Sequence, residues 1–192
     1  MCAGKKLAMA LDIDDTLVSF LGPFLDAWNE AKDDLVSLSS MTDYDFSQKR
    51  MNAFLHMLEK IGFYRNLPAC WGAVSFVNKL KSMGIKIVLI TARPSKFRRD
   101  TEFNLDESGF TYDDLIFSKE KSQIINNLKN KYHFLAFADD RLSTVVNVGN
   151  KCSLPFNFLL TQPHNADFVL TSNIVRVNYI LDILSIMVDK VC

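Results

Sequence analysis

Two hydrophobic patterns alternate along the chain. Short runs apolar at consecutive positions recur as "LAMALDI" from Leu7, "IKIVLIT" from Ile85 to Thr91, "LIF" from Leu115, "FLAFA" from Phe134 to Ala138 and "FNFLL" from Phe156 to Leu160. A strand covered on both faces of a parallel sheet needs that continuous apolar character, so each run predicts a central strand. Between them, apolar residues return at helical spacing. Ala73, Phe76, Val77, Leu80 and Met83 predict a helix closed by Gly84, Ile124, Ile125 and Leu128 a second, and Leu142, Val145, Val146 and Val148 a third. Ile180, Ile183, Leu184, Met187 and Val188 predict a final amphipathic helix. The alternation predicts an α/β fold, a Rossmann-like doubly wound parallel sheet with ligands beyond the carboxyl ends of its strands.

The rhythm breaks once. About fifty residues without a strand pattern separate the first run from the helix starting near Trp71, more than a crossover needs. Phe24, Leu25 and Trp28 fit one helix, and Met51, Phe54, Leu55, Leu58 and Ile61 fit another, ended by Gly62, with "LSSMTDYDFSQ" as the loop between them. The expected organisation is a core of residues 1–18 and 68–192, with a small helical cap, residues 19–67, inserted after the first strand. Met41, Met51 and Met57 read as adaptable packing within the cap.

Composition narrows the partners. With 192 residues, 48% of them apolar, the chain can bury one sizeable core. Lys plus Arg (22) equals Asp plus Glu (22), so no net field draws the protein to nucleic acid or to an anionic membrane. Any phosphate must therefore be held locally. Cys2, Cys70, Cys152 and Cys192 form no CxxC pair, which argues against a zinc cluster and for buried thiols in a reducing compartment, by default the cytoplasm. Leu7 to Leu11 is too short for an export signal, and the C-terminal "IVRVNYILDILSIMV" is interrupted by Arg176 and Asp182, so no membrane span is expected.

The polar residues fall at the strand ends. The first run closes in "DIDDT", placing Asp12, Asp14 and Asp15 where a buried strand stops; the second closes at Thr91 and the fourth at Asp139 and Asp140. Lys121 lies near the start of the helix before the fourth strand. In a parallel sheet these ends share one edge. Crowded carboxylates need a cation, hydrogen-bond donors or a shared proton to offset their repulsion. Attack of a carboxylate on phosphorus needs the same agents, a divalent cation, a cationic side chain and donors around the phosphoryl oxygens.

In order, "DIDDT", "LITAR", Lys121 in "SKEKS" and "FADDR" resemble the four motifs of the haloacid dehalogenase (HAD) superfamily of aspartate-nucleophile phosphatases, and they frame the chain from Leu7 to Arg141. "FADDR", the long segment after the first motif, Phe20 eight residues past Asp12, and "TQPHN" are most similar to the 5'-nucleotidase and 5'(3')-deoxyribonucleotidase branch. The resemblance implies that Asp12 is the nucleophile and Asp14 the general acid and base. It implies that Thr91 and Lys121 hold the transferring phosphoryl group. Mg2+ would be bound by Asp12, Asp139, Asp140 and the Asp14 carbonyl. Ala92, Arg93 and Arg141 would contact substrate, Arg93 alternatively contacting only the acidic cap. Asp15 receives no chemical role, and Thr16 is expected to fix the turn through its hydroxyl.

Blander readings stand beside these. Lys119, two residues from Lys121, competes with it, and either could be a solvated lysine at a helix start. Phe20, Tyr44 and Phe46 could form an aromatic slot for a nucleobase or simply the cap's core. His56 and His133 read as surface or satisfied core positions, His164 as a turn residue outside the site, and Arg98 and Arg99 as a solvated helix face.

The function expected is a Mg2+-dependent phosphomonoesterase acting on nucleoside or deoxynucleoside 5'-monophosphates. The partner is a small molecule rather than a nucleic-acid polymer or a membrane, and a homodimer is compatible with the chain. The alternatives are another small-metabolite phosphatase of the superfamily, a polynucleotide 3'-phosphatase, which the absence of a basic stripe disfavours, and a receiver-like phospho-acceptor or binding module. In a receiver the lysine would follow the last acidic pair instead of preceding it.

Overall fold

A computed structural model of the chain describes residues 4–31, 54, 57–170 and 173–191. Six strands, β1 (Lys6–Leu11), β2 (Lys86–Thr91), β3 (Asp114–Phe117), β4 (Tyr132–Asp139), β5 (Phe156–Leu160) and β6 (Val175–Val177), form one sheet. Every neighbouring pair is parallel, in the order β3-β2-β1-β4-β5-β6. The chain runs outward from β1 to β3, then crosses back to lay β4 on the other side of β1. This reversal opens a crevice at the carboxyl end of β1, where doubly wound sheets bind ligands.

Register decides which residues meet there. Leu11 pairs with Leu89 of β2 and with Ala138 of β4, and the Asp12 N–H extends the ladder by donating to the Ala138 carbonyl at 3.0 Å. Asp12, Thr91 and Asp139 consequently end their strands on one edge.

The strands are apolar on both faces because helices cover both. The helices are α1 (Leu21–Ala31), α2 (Ala73–Ser82), α3 (Arg98–Glu107), α4 (Lys121–Asn127), α5 (Leu142–Cys152) and α6 (Asp182–Val191). Met9 and Leu11 face one layer with Phe24, Phe76, Leu80, Leu105 and Ile183, whereas Ala8 and Ala10 face the other with Ile125, Val145 and Val148. The period of two in β1 thus sorts α1, α2, α3 and α6 from α4 and α5. Gly84 adopts φ 78°, the left-handed conformation that lets the chain leave α2 for β2, and its N–H donates to the Lys81 carbonyl at 2.9 Å.

Departures from the sequence reading are local. β6 was absent from the expected strands: it is only three residues long and carries Arg176 at its centre. Within residues 19–67, α1 forms where a helix was expected, and Phe54 meets Phe24 and Trp28 edge-on at centroid distances of 5.2 and 4.8 Å. Residues 57–60 are helical and Gly62 sits at φ 63°. Tyr44, Phe46, Met41, Met51, Leu55 and His56, with the loop 38–48, lie outside the described residues. Arg98 and Arg99 are exposed on α3, as expected. Cys152 is buried and Cys70 half-buried, both as free thiols, and burial pushes the Cys70 thiol up to about 11; Cys2 and Cys192 lie outside the described residues. No helix among the described residues is long and apolar enough to cross a membrane.

Asp113 ties α2 to the sheet. Its carboxylate accepts from Lys81 and Lys86 at 2.8 Å each and from the Ile87 N–H at 2.9 Å. Partial burial raises its pKa, but the two ammonium groups and the amide outweigh this and hold it at about 2. A carboxyl depressed below its unfolded value of about 3.9 stabilises the fold above that pH and loses the contribution as pH falls through the folded pKa. Asp113→Asn should therefore be less stable than the parent at neutral pH in urea unfolding, with a gap that closes between about pH 4 and pH 2. A gap independent of pH would refute the account.

Candidate active site

The loop after β1 is built by backbone first. The N–H groups of Thr16, Leu17 and Val18 converge on the Ile13 carbonyl, and the Asp15 N–H donates to the Val18 carbonyl at 2.7 Å. Closing so tight a turn puts Asp15 at φ 52°, a left-handed conformation that aspartate tolerates better than most residues. Its carboxylate then accepts the N–H groups of Phe20 at 2.9 Å and Leu21 at 3.0 Å, satisfying donors at the start of α1. The expected role of Thr16 is corrected here. Its buried hydroxyl has no hydrogen-bond partner among the described residues, because backbone bonds and the Asp15 side chain already hold the turn.

Three carboxylates gather beyond this loop. Asp12, Asp139 and Asp140 are buried, and each offers an oxygen within 4.8 Å of the others. Lys121, the first residue of α4, reaches under the sheet edge to place Nζ 2.5 Å from Asp12 Oδ1 and 2.7 Å from Asp139 Oδ2. Burial works against the ammonium, but Asp12 and Asp139 together push its pKa up. Burial also raises Asp12 well above the usual carboxylate range, Lys121 opposing and Asp139, Asp140 and Asp14 reinforcing the rise. Asp140 is pushed up to about 7, chiefly by burial, against the pull of His164.

Asp14 is turned away from that cluster. Its carboxylate receives Arg93 through Nε at 3.0 Å and Nη2 at 2.6 Å, a forked pair. Arg93 is itself fixed: Nη1 donates to Thr101 Oγ1 at 3.0 Å, the guanidinium lies over the Tyr64 ring at 4.7 Å, and the backbone N–H donates to Thr91 Oγ1 at 3.1 Å. Two neighbouring carboxylates thus occupy different environments, one beside an ammonium and two acids, the other in an arginine fork.

A pocket of about 280 Å³ opens over these groups. Asp12, Asp14 and Asp140 form its acidic side, Arg93, Lys119, Lys121 and Arg141 its basic side, and Phe20 and Tyr64 an aromatic wall, with Ala92 also lining it. Phe20 and Tyr64 stack with centroids 6.0 Å apart and planes 18° from parallel. Thr91 and Asp139 are fully buried and do not line the pocket. Of the two lysines, Lys121 makes the buried carboxylate contacts, while Lys119 is exposed at the rim. Tyr44 and Phe46 lie outside the described residues.

Several residues escaped the sequence reading. His164, expected to stay outside the site, places Nε2 3.0 Å from Asp140 Oδ2. It reaches there because residues 163–165 form a helical turn entered through Pro163 and closed by reciprocal bonds between Gln162 and Asn165. The Gln-Pro-x-Asn spacing of "TQPHN" carries that turn signal. Tyr64 carried no such mark, since its ring faces the pocket through packing against Phe20, Phe63 and Phe97.

Comparison with known proteins gives a family and a fold. The family model for the HAD superfamily, subfamily IIIB (acid phosphatase), matches residues 1–153. No curated protein gives a significant sequence match. A HAD family hydrolase from Deinococcus radiodurans R1, solved with bound phosphate and sodium, is similar with a TM-score of 0.69 at 14% identity, over 95% of each chain. A predicted phosphoglycolate phosphatase from Haemophilus somnus 129PT gives 0.67 at 14% identity, over 94% of this chain and 97% of that one. A chain of the Pnkp1/Rnl/Hen1 complex gives 0.55 at 16% identity over 92% of this chain, which spans only 47% of its length. At such identities these likenesses show the fold.

The Asp15 cap predicts a clear contrast. Asp15→Ala leaves two buried N–H groups without their acceptor and keeps a left-handed φ that alanine tolerates less well than aspartate, so it should cost about 1–3 kcal/mol in denaturant unfolding. Asp15→Asn, which keeps one acceptor oxygen and tolerates the backbone, should lose less than half of that. Equal losses would show that the side-chain oxygen is not what matters.

Proposed function

The chain belongs to the HAD superfamily, subfamily IIIB (acid phosphatase), and from that premise we propose a Mg2+-dependent phosphomonoesterase that forms an aspartyl-phosphate on Asp12. The observation that carries this reading is the Lys121 ammonium bridging Asp12 and Asp139, with Asp14 held separately by Arg93. A nucleophile beside a fixed cation and an acid–base group set apart from it are the two roles that phosphoryl transfer divides.

In the proposed sequence the Asp12 carboxylate attacks phosphorus and the ester P–O bond breaks. As that bond breaks, a proton passes from Asp14 to the leaving oxygen. Asp14 then takes a proton from the water that attacks the aspartyl-phosphate, releasing phosphate and restoring Asp12. Lys121 offsets charge on the transferring group, and the Arg93 fork keeps Asp14 pointed at the pocket. Thr91, whose hydroxyl already receives the Arg93 N–H, fixes the strand end from which Ala92 and Arg93 face the substrate. Arg141 and Lys119, at the pocket wall, supply positive charge for the rest of the ester.

The metal fits the donors. Asp12, Asp139 and Asp140 present only oxygen atoms, which suit a hard cation such as Mg2+, and each offers an oxygen within 4.8 Å of the others. The Asp14 carbonyl would complete the protein's share. Bound there, Mg2+ supplies the charge that lets an anionic nucleophile approach an anionic ester.

The substrate class we favour is a nucleoside or deoxynucleoside 5'-monophosphate. The Phe20–Tyr64 wall offers a flat apolar face for a base, and the balanced charge of the chain gives no support for a polymer. A second reading, a small phosphomonoester without a base, is favoured by the likeness to the phosphoglycolate phosphatase and by the modest pocket of about 280 Å³.

Phosphate release from nucleoside 5'- and 3'-monophosphates, sugar phosphates, phosphoglycolate and a 3'-phosphorylated oligonucleotide tests both readings. The expected result is release from the mononucleotides that is abolished by EDTA, restored by Mg2+ and reduced about 10³-fold or more in Asp12→Asn. Activity confined to the esters without a base would select the second reading. Metal-independent release, or full activity in Asp12→Asn, would overturn the mechanism.

A further inference from the structure

The turn at 162–165 does more than bring His164 to the cluster. Gln162 Nε2 donates to the Asp15 carbonyl at 2.7 Å, reaching the loop that follows β1. Asn165 Nδ2 donates to the Asp140 carbonyl at 2.6 Å and to the Leu160 carbonyl at 2.8 Å, reaching the loop that follows β4. One four-residue segment therefore grips both loops that carry the acidic residues.

Each grip is oriented by a further bond. The Gln162 side chain accepts the Asn165 backbone N–H, which fixes its amide so that the NH2 group points to Asp15. Asn165, 1% exposed, accepts the Gln162 N–H and Arg176 Nη1 on its side-chain oxygen, each at 3.1 Å, leaving its NH2 group for Asp140. Arg176, from β6, also donates through Nη2 to the carbonyls of Asn165 at 3.1 Å and Phe168 at 2.9 Å. The strap is thus anchored in the outermost strand of the sheet. His164 adds a third contact, at the Asp140 carboxylate.

We propose that this strap, with Arg176 as its anchor, sets the separation of the Asp12–Asp15 loop from the Asp139–Asp140 loop and thereby the affinity of the cluster for Mg2+. Gln162, Asn165 and Arg176 are positioning residues: their bonds go to backbone carbonyls or to one another, and none contributes an oxygen to the three-acid cluster. Repulsion among the three clustered carboxylates, Asp12 on one loop and Asp139 and Asp140 on the other, acts to spread the two loops. A strap of short hydrogen bonds between neutral amides and carbonyls opposes that spreading without adding charge that would compete with the metal. Loss of such outer contacts typically lowers metal affinity by about 10–100-fold.

The inference rests on the Mg2+ reading above, and the test separates the two. Mg2+ affinity is measured by titration calorimetry on the unaltered protein, Gln162→Met and Arg176→Met, beside thermal melting in EDTA. Methionine keeps most of the length of either side chain and removes its donors. The expected result is binding weakened about tenfold in each variant, with an activity deficit that shrinks as Mg2+ is raised to saturation. Should Gln162→Met fail to fold, Arg176→Met, remote from the cluster, carries the same test. A folded variant that binds Mg2+ as tightly as the parent, or one that loses melting temperature alone, overturns the strap. No binding of Mg2+ by the unaltered protein overturns the metal reading and the strap with it.

Discussion

The buried ammonium of Lys121, 2.5 Å from Asp12 and 2.7 Å from Asp139, is the contact on which the carboxyl edge of the sheet depends. Without it two acids would share a desolvated space, where unpaired charge costs several kcal/mol. With it Asp12 and Asp139 can approach, and Asp140 can stand beside them. The lysine can do this because α4 begins at Lys121 and packs, through Ile125, against the face of the sheet that ends in the cluster.

The remaining acids are compensated one at a time. Arg93 forks onto Asp14, His164 meets Asp140, and the Asp15 carboxylate is taken up by backbone N–H groups of the α1 start. Each acid thus has its own partner from a different element. This separation gives adjacent residues of one short loop different chemistry: Asp12 faces Lys121, Asp14 faces Arg93, and Asp15 faces the backbone. A chain with equal numbers of acidic and basic residues achieves the balance locally, at the place where the carboxylates are densest.

The topology makes the partners available. Because β1 lies between β2 and β4, the loops after these three strands are neighbours, although about eighty residues separate Asp12 from Thr91 and about fifty more separate Thr91 from Asp140. The segments beyond β5 and at β6 then close the edge from the far side, through Gln162, Asn165 and Arg176. On the near side the aromatic group of Phe20, Phe24, Tyr64 and Phe97 packs α1 into the core, and Phe20 and Tyr64 of that group give the pocket its apolar wall.

Much of this is legible in the amino-acid sequence. Continuous apolar runs betray strands covered on both faces, so β1 to β5 could be read directly, and the polar residues terminating them marked the edge where a site would form. β6 was not legible, because three residues centred on an arginine carry no periodic signal; Arg176 is there to bond Asn165 rather than to fill a core. The choice of Lys121 over Lys119 followed from a motif, but the bridge between Asp12 and Asp139 is a distance, and distance depends on how α4 meets the sheet. The same holds for Arg93, left between phosphate and cap by the sequence and placed on Asp14 by the fold, and for His164, carried to Asp140 by a turn whose partners lie on other strands. By itself the sequence determined which residues carry charge and where the strands end, since those follow from local pattern. The pairing of each charge with its partner was decided only in the tertiary structure, because it requires groups far apart along the chain to come within hydrogen-bond reach.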